Sequence, residues 1–179
     1  MKLRTSLYDF EWDSNKAKLN VHKHRVSFAI AATAFNDPLG LTKHDSQHSY
    51  EEFRWILFGR AKDGQLLAVV YTQTELSDRK TLVRLISARR ATYRERLYYQ
   101  SGGNMVQEDT DMQDEYDLSD AKRGVHYVEG QVLNIPVYLD PPILSYFMDI
   151  AIQQGIETED LLNQILTQEI ERRESAKSP

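Results

Sequence analysis

The sequence predicts an α+β protein in two parts: a small antiparallel sheet with helices packed on it, then a strand–helix–helix unit that needs a second copy to fold. Three observations carry this. Strand-like runs share the first hundred residues with helical periodicities, the charge changes sign near residue 101, and residues 131–140 alternate apolar and polar ahead of two helical stripes. Residues 1–100 hold 17 Lys and Arg against 11 Asp and Glu, a charge of +6; residues 101–179 hold 5 against 16, a charge of −11, within a total of −5. A basic part suggests a polyanion such as nucleic acid, and an acidic part on the same chain suggests a competitor for it.

At 179 residues, with 41% hydrophobic and 27% charged, the chain can form one ordinary domain or two small ones and is too apolar for wholesale disorder. The absence of cysteine excludes disulfides, thiolate nucleophiles and thiolate metal sites, and fits a reducing compartment. Met1 to Thr5 lead into Ser, Tyr, Asp and Glu rather than an apolar run. No stretch approaches the ~20 apolar residues of a membrane span. The expectation is a cytoplasmic protein.

Taken in order, Phe10-Glu11-Trp12 reads as a short strand, and Asp13 sits at the N-cap of a basic helix over 14–24. Ser27 caps a second helix through Phe28, Ala31, Ala32 and Phe35, stopped by Asn36-Asp37-Pro38. Strands follow over 53–61, 66–74 and 81–88, the first two joined by a turn at 62–65. A helix over 91–100 has Tyr93 and Leu97 on its inner face. The break at Ser101-Gly102-Gly103-Asn104 opens an acidic linker and masking segment, assigned to 101–130, between a first domain over 1–100 and a last over 131–175. In the last domain, strand 131–140 buries Leu133, Ile135, Val137 and Leu139. Asp140 caps a helix with Pro141 and Pro142 in its first turn and Gly155 at its end, and Thr158 caps another. About 45 residues cannot bury these stripes alone, so a homodimer is expected.

A strand followed by two helices in an obligate dimer is the ribbon-helix-helix plan, whose paired strands enter the DNA major groove. Residues 134–140, and the segment 114–124 before them, resemble CopG-like and BrnA-like antitoxins of that class. In the first domain, Phe10-Glu11-Trp12-Asp13, Lys16-Ala17, Asn20, Lys23-His24, Val26-Ser27-Phe28, Ala31, Phe35, Asp37-Pro38, Val70-Tyr71-Thr72, Arg84 to Ala91 and Glu95-Arg96 resemble the BrnT toxin family over roughly residues 8–100. That resemblance implies a RelE-like ribonuclease that stops translation by acting on mRNA, free or ribosome-associated. Its partner would be a BrnA antitoxin that neutralises the toxin and represses the shared operon. Here both would lie on one polypeptide, toxin first, a fusion of natural or engineered origin.

Metal-free RNA cleavage needs a base for the ribose 2′-OH, an acid for the leaving oxygen and cations for the phosphate. No carboxylate cluster has metal-ligand spacing, and His22 and His24, two apart on a helix, face differently. No cofactor is expected. The resemblance implies that basic residues carry the reaction: Arg89 for the phosphate, with Arg84 and Arg94 in the same role, Lys23 and His24 for proton transfer, and Tyr98 in reserve. Arg60 and Arg90 are read as RNA-binding. Asn134 and Tyr138 would face operator DNA, with Lys122 and Arg123 as a local basic patch. Asp114, Glu115, Asp117 and Asp120 would pair with the toxin arginines and mask them, since a linker of about 15 residues averaging ~20 Å gives a millimolar effective concentration. The expected function is a fused toxin–antitoxin protein whose endoribonuclease is held inactive by its own C-terminal half, within one chain or across the dimer, and whose dimer binds operator DNA. The alternative is a non-enzymatic DNA-binding regulator that keeps a degenerate toxin fold as a scaffold.

Overall fold

The computed structural model describes residues 7–45, 52–77, 80–102 and 120–176. Strand β1 (Leu7–Glu11) hands over to helix α1 (Ser14–His24) at Asp13, whose carboxylate accepts a 2.8 Å hydrogen bond from the Lys16 amide. Arg25, in the left-handed conformation at φ 58°, ends the helix. Ser27 accepts from the Ile30 amide and starts α2 (Phe28–Ala32), which tightens into a 3₁₀ turn over Thr33–Asn36. These starts match the caps expected from the sequence.

Next come β2 (Leu41–His44), β3 (Trp55–Arg60), β4 (Leu66–Ser77), β5 (Lys80–Arg90) and α3 (Tyr93–Gln100). Strand β2 was not foreseen, because four residues carry too little alternation to stand out. Thr92 caps α3 in a reciprocal box with Glu95. That start rotates the helix from the expected setting: Tyr93 is 61% exposed and Tyr99 is the buried tyrosine.

The sheet has the order β6-β2-β3-β4-β5-β1-β7, with β6 at Lys122–Arg123 and β7 at Val132–Asn134. It is mixed rather than wholly antiparallel. β1 runs parallel to β5, because α1 and α2 carry the chain to β2 and the antiparallel run β2–β3–β4–β5 then returns it alongside β1 in the same direction, and β7 runs parallel to β1. The pleat sorts the side chains into two layers. Tyr8, Phe10, Leu57, Val69, Tyr71, Val83 and Leu85 face α1 and α2; Leu41, Ile56, Phe58 and Ala68 face α3. Gly59 lets β3 lie against the 3₁₀ turn, since a Cβ there would stand 2.7 Å from the Ala34 carbonyl oxygen.

The strand expected over 131–140 is paired only at Val132–Asn134, and its partner is β1 of the same chain rather than a second ribbon. Leu133 and Ile135 do share a buried face, packed on the α1/α2 side of the core. Pro136 has no N–H to continue the ladder, and Val137, expected inside, is 83% exposed.

The chain divides into two compact units at Pro136/Val137, so residues 120–136 pack with the first. In the second, α4 (Pro141–Gln154) starts with its prolines at the first two positions and ends on Gly155 at φ 67°. Asp140 stands at its cap position but makes no side-chain capping bond. Helix α5 (Thr158–Ser175) has Glu157 at its N-cap position, one residue before the expected Thr158 and without a side-chain capping bond, and Glu159 and Asp160 in its positive first turn. Ala151 and Leu161 are buried in this unit, whereas Tyr146, Ile152, Leu166 and Ile170 are more than half exposed. No described helix is long and apolar enough to cross a membrane.

Candidate nucleic-acid interface

Arg84 lies in the middle of β5 between Val83 and Leu85, both inside the α1/α2 core, so the pleat sends its side chain to the face that α3 partly covers. It is exposed and, among the described residues, has no ion-pair partner. Glu11 lies directly beside it in the parallel register of β1 and β5, likewise exposed. The same face carries α3, with Arg94 and Tyr98 half-buried and Tyr98 packed on the core under the helix. Arg84, Arg94 and Tyr98 therefore share one face, with a carboxylate alongside.

Arg89 reaches that face differently. Its guanidinium donates two hydrogen bonds of 2.8 Å to Glu95 and one of 3.1 Å to the Arg90 carbonyl. Glu95 is 5% exposed and also accepts from the Thr92 amide at 2.7 Å. The cation expected to hold phosphate is thus tied into the strand-to-helix corner. Arg90 donates to the Gln65 side chain at 2.8 Å, and Arg60 to the Gly64 carbonyl at 2.8 Å, while both stay exposed.

Lys23 and His24 are not brought to this face. They end α1, which packs on the opposite side of the sheet and is pinned there by Asn20. The Asn20 amide donates to the Ala88 and Val26 carbonyls, each at 2.8 Å, and its oxygen accepts from the Ala88 N–H at 3.0 Å. Strand β1 stops opposite Arg84, and Asn20 takes over the ladder groups of β5 that β1 leaves open. Lys23 and His24 remain exposed, beside Lys16, Lys18, His22 and Arg25.

Tyr99, next to the reserve candidate Tyr98, is a brace. Its hydroxyl donates to Asp37 at 2.7 Å, and the guanidinium carbons of Arg60 and Arg123 lie 5.9 Å and 5.5 Å from its ring centre. Burial, then the Asp37 carboxylate, pushes its hydroxyl up to about 12.

Of the expected masking carboxylates, Asp114, Glu115 and Asp117 lie outside the described residues. Asp120 pairs with Lys43 at 2.6 Å. Asn134 donates to Asp9 at 2.7 Å, where Lys80 also binds at 2.7 Å; Lys80 first, and Asn134 after it, hold the Asp9 carboxyl below its usual range. In this state Asn134 does not present its amide to a DNA base. Arg123 donates to the Tyr99 carbonyl at 2.6 Å, whereas Lys122 and Tyr138 are exposed.

Two residues that sequence reasoning passed over tie 120–136 to the rest of the first unit. His126, 5% exposed, stands between the Tyr8 and Tyr71 hydroxyls, at 3.2 Å from Nδ1 and 2.5 Å from Nε2. Burial lowers its imidazole to about 4. Gln131 donates to the Phe35 carbonyl at 2.8 Å and to Asn36 at 2.6 Å. The signal for His126 was its place among Val125, Tyr127 and Val128 in an otherwise polar stretch. Among the described residues no group of three or more His, Asp or Glu is arranged to hold a metal ion.

The mixed sheet thus carries the exposed Arg84 on one face, with α3 over part of that face. Residues 12–95 match the family model described as ribonuclease toxin, BrnT, of type II toxin-antitoxin system. The chain is also similar to the crystal structure of the Brucella abortus ribonuclease toxin BrnT, with 22% identity and a TM-score of 0.36 over 48% of this chain and 97% of that one. No curated protein matches the chain.

Proposed function

We propose that the first unit is a metal-independent endoribonuclease of the toxin type, acting on mRNA to stop translation, and that the C-terminal part of the chain restrains it. The match of residues 12–95 to the ribonuclease toxin family carries the reading. The α3 face supplies matching chemistry: Arg84 and Arg94 can neutralise a scissile phosphate, Tyr98 offers a hydroxyl, and Glu11 beside Arg84 is an acceptor for a 2′-OH proton. Lys23 and His24, with the other exposed cations of α1, suit contact with the RNA backbone away from the cut. Arg89 holds the corner that aims α3.

Homodimerisation belongs to the second unit, whose apolar side chains stand exposed in one copy. Operator binding through the ribbon needs Asn134 to leave Asp9, so it belongs to a released form. The tie between Arg89 and Glu95 favours one rival, a regulator that keeps the toxin fold as a scaffold. One assay separates them. The chain is cut within 103–119, its C-terminal piece is removed, and cleavage of a labelled RNA is followed without divalent metal. Cleavage that disappears in Arg84→Ala is the expected result. An inert cut protein makes the scaffold reading the correct one.

A further inference from the structure

The edges of the sheet and a pocket on its α1/α2 face are filled by one stretch of chain. Residues 122–123 add antiparallel to β2 at one edge, Leu41 opposite Arg123, and residues 132–134 add parallel to β1 at the other, Tyr8 opposite Leu133. Between them the chain turns at Gly124, whose N–H donates to the Gly40 carbonyl at 2.8 Å, and buries His126. The His126 ring lies 5.0 Å from Phe35 and 5.4 Å from Tyr71, centre to centre. Gln131 closes the crossing on Phe35 and Asn36.

We propose that residues 7–102 form a receptor for an extended, histidine-bearing segment, that residues 120–136 of the same chain are its ligand, and that this segment rather than an acidic stretch is the restraining element. The restraint rests on the proposed ribonuclease reading; the docking does not. Strand addition supplies main-chain hydrogen bonds of low selectivity, and pockets for side chains supply the choice of partner. Here the selective contacts are His126 between two hydroxyls, Gln131 on a main-chain carbonyl, and Leu133 with Ile135 on the core. Charge contributes little. The Asp120 carboxylate that meets Lys43 at 2.6 Å is itself 69% exposed, where an ion pair is worth little. Both ends of the segment border the α3 side. Ala121 and Arg123 hold the turn of α3 that carries Tyr98, and Asn134 holds Asp9, two residues from Glu11.

The test uses the full chain with a site-specific protease sequence placed between Gly102 and Asp120. After cutting, the two pieces should co-elute as one species in gel filtration at micromolar concentration, in high salt as well as low. His126→Ala and Gln131→Ala should each speed their separation, His126→Ala by ~30-fold or more, as for a buried interface anchor. Hydrogen exchange on the same samples covers the chance that a variant merely unfolds: amides of β1 and β2 should lose protection while β3, β4 and β5 keep it. Pieces that separate at once, or that separate in the His126→Ala variant no faster than in the parent, would overturn the proposal. RNA cleavage is scored separately. Full cleavage by pieces that stay together would remove the restraint while the docking stands, and absence of cleavage after removal of the C-terminal piece would remove the ribonuclease reading alone.

Discussion

The Arg89 guanidinium and the Glu95 carboxylate form a two-bond pair, both contacts at 2.8 Å, in which the acid is almost fully buried and the base about one-fifth exposed. Glu95 also closes the capping box of α3 through the Thr92 amide. One carboxylate therefore serves the last strand, the corner and the helix start together. Glu95→Ala should lower stability by ~3 kcal/mol, since it removes the carboxylate partner of a mostly buried cation and the helix cap at once. Urea denaturation measures this, and a midpoint within error of the parent would show the pair to be idle. Arg89→Lys should recover only part of the loss, because an ammonium cannot reproduce the fork.

Acid should weaken the docking of 120–136 through His126. Its pKa in the folded chain is lowered to about 4 by burial against an ordinary value near 6.5. Above pH ~6.5 the ring is neutral whether docked or free, and the stabilisation is complete. Between ~6.5 and ~4 the unfolded or undocked chain takes up a proton that the docked ring refuses, so stability falls with pH by about 3 kcal/mol in all. His126→Gln should flatten the stability profile across that window; identical slopes for parent and variant would rule this origin out.

Gly59→Ala should destabilise the first unit by ~2 kcal/mol, because a methyl 2.7 Å from the Ala34 carbonyl oxygen forces β3 away from the 3₁₀ turn. Thermal unfolding reads the effect. Gly64→Ala, in open space but at φ 84°, should cost less, since only backbone strain opposes it. Equal melting temperatures for the two variants would contradict the steric account.

Much of this fold is legible where local chemistry decides it. Asp13 and Ser27 mark their helices, and the turn at 62–65 marks the β3–β4 hairpin, because caps and turns depend on a few adjacent atoms. Pairing is less legible. The alternation of Leu133 and Ile135 announces a strand with one buried face but does not name the partner, and β1 of the same chain satisfies it as well as a second copy would. The site divides in the same way. Arg84 emerges because a lone cation between buried apolar neighbours must point to the other face, whereas Arg89 and Arg90 look equivalent until Glu95 is folded beside one of them. Asn20 belongs to the pattern shared with the toxin family, yet its bond to β5, 68 residues away, is invisible in a linear chain.

The second unit should self-associate independently of the docking of 120–136. Ile152 is 75% exposed, Tyr146 63%, Leu166 59% and Ile170 57%, on helices whose only buried apolar side chains are Ala151 and Leu161. Two helices with so small an interior cannot offset their own chain entropy, and a second copy supplies the missing apolar surface. The intact protein should sediment as a dimer at micromolar concentration. Ile152→Asp combined with Leu166→Asp should give a monomer whose α4 and α5 lose hydrogen-exchange protection while β3, β4 and β5 keep theirs. A parent chain that is monomeric at ~100 μM, with α4 and α5 fully protected, would require some other cover for these side chains and defeat the dimer.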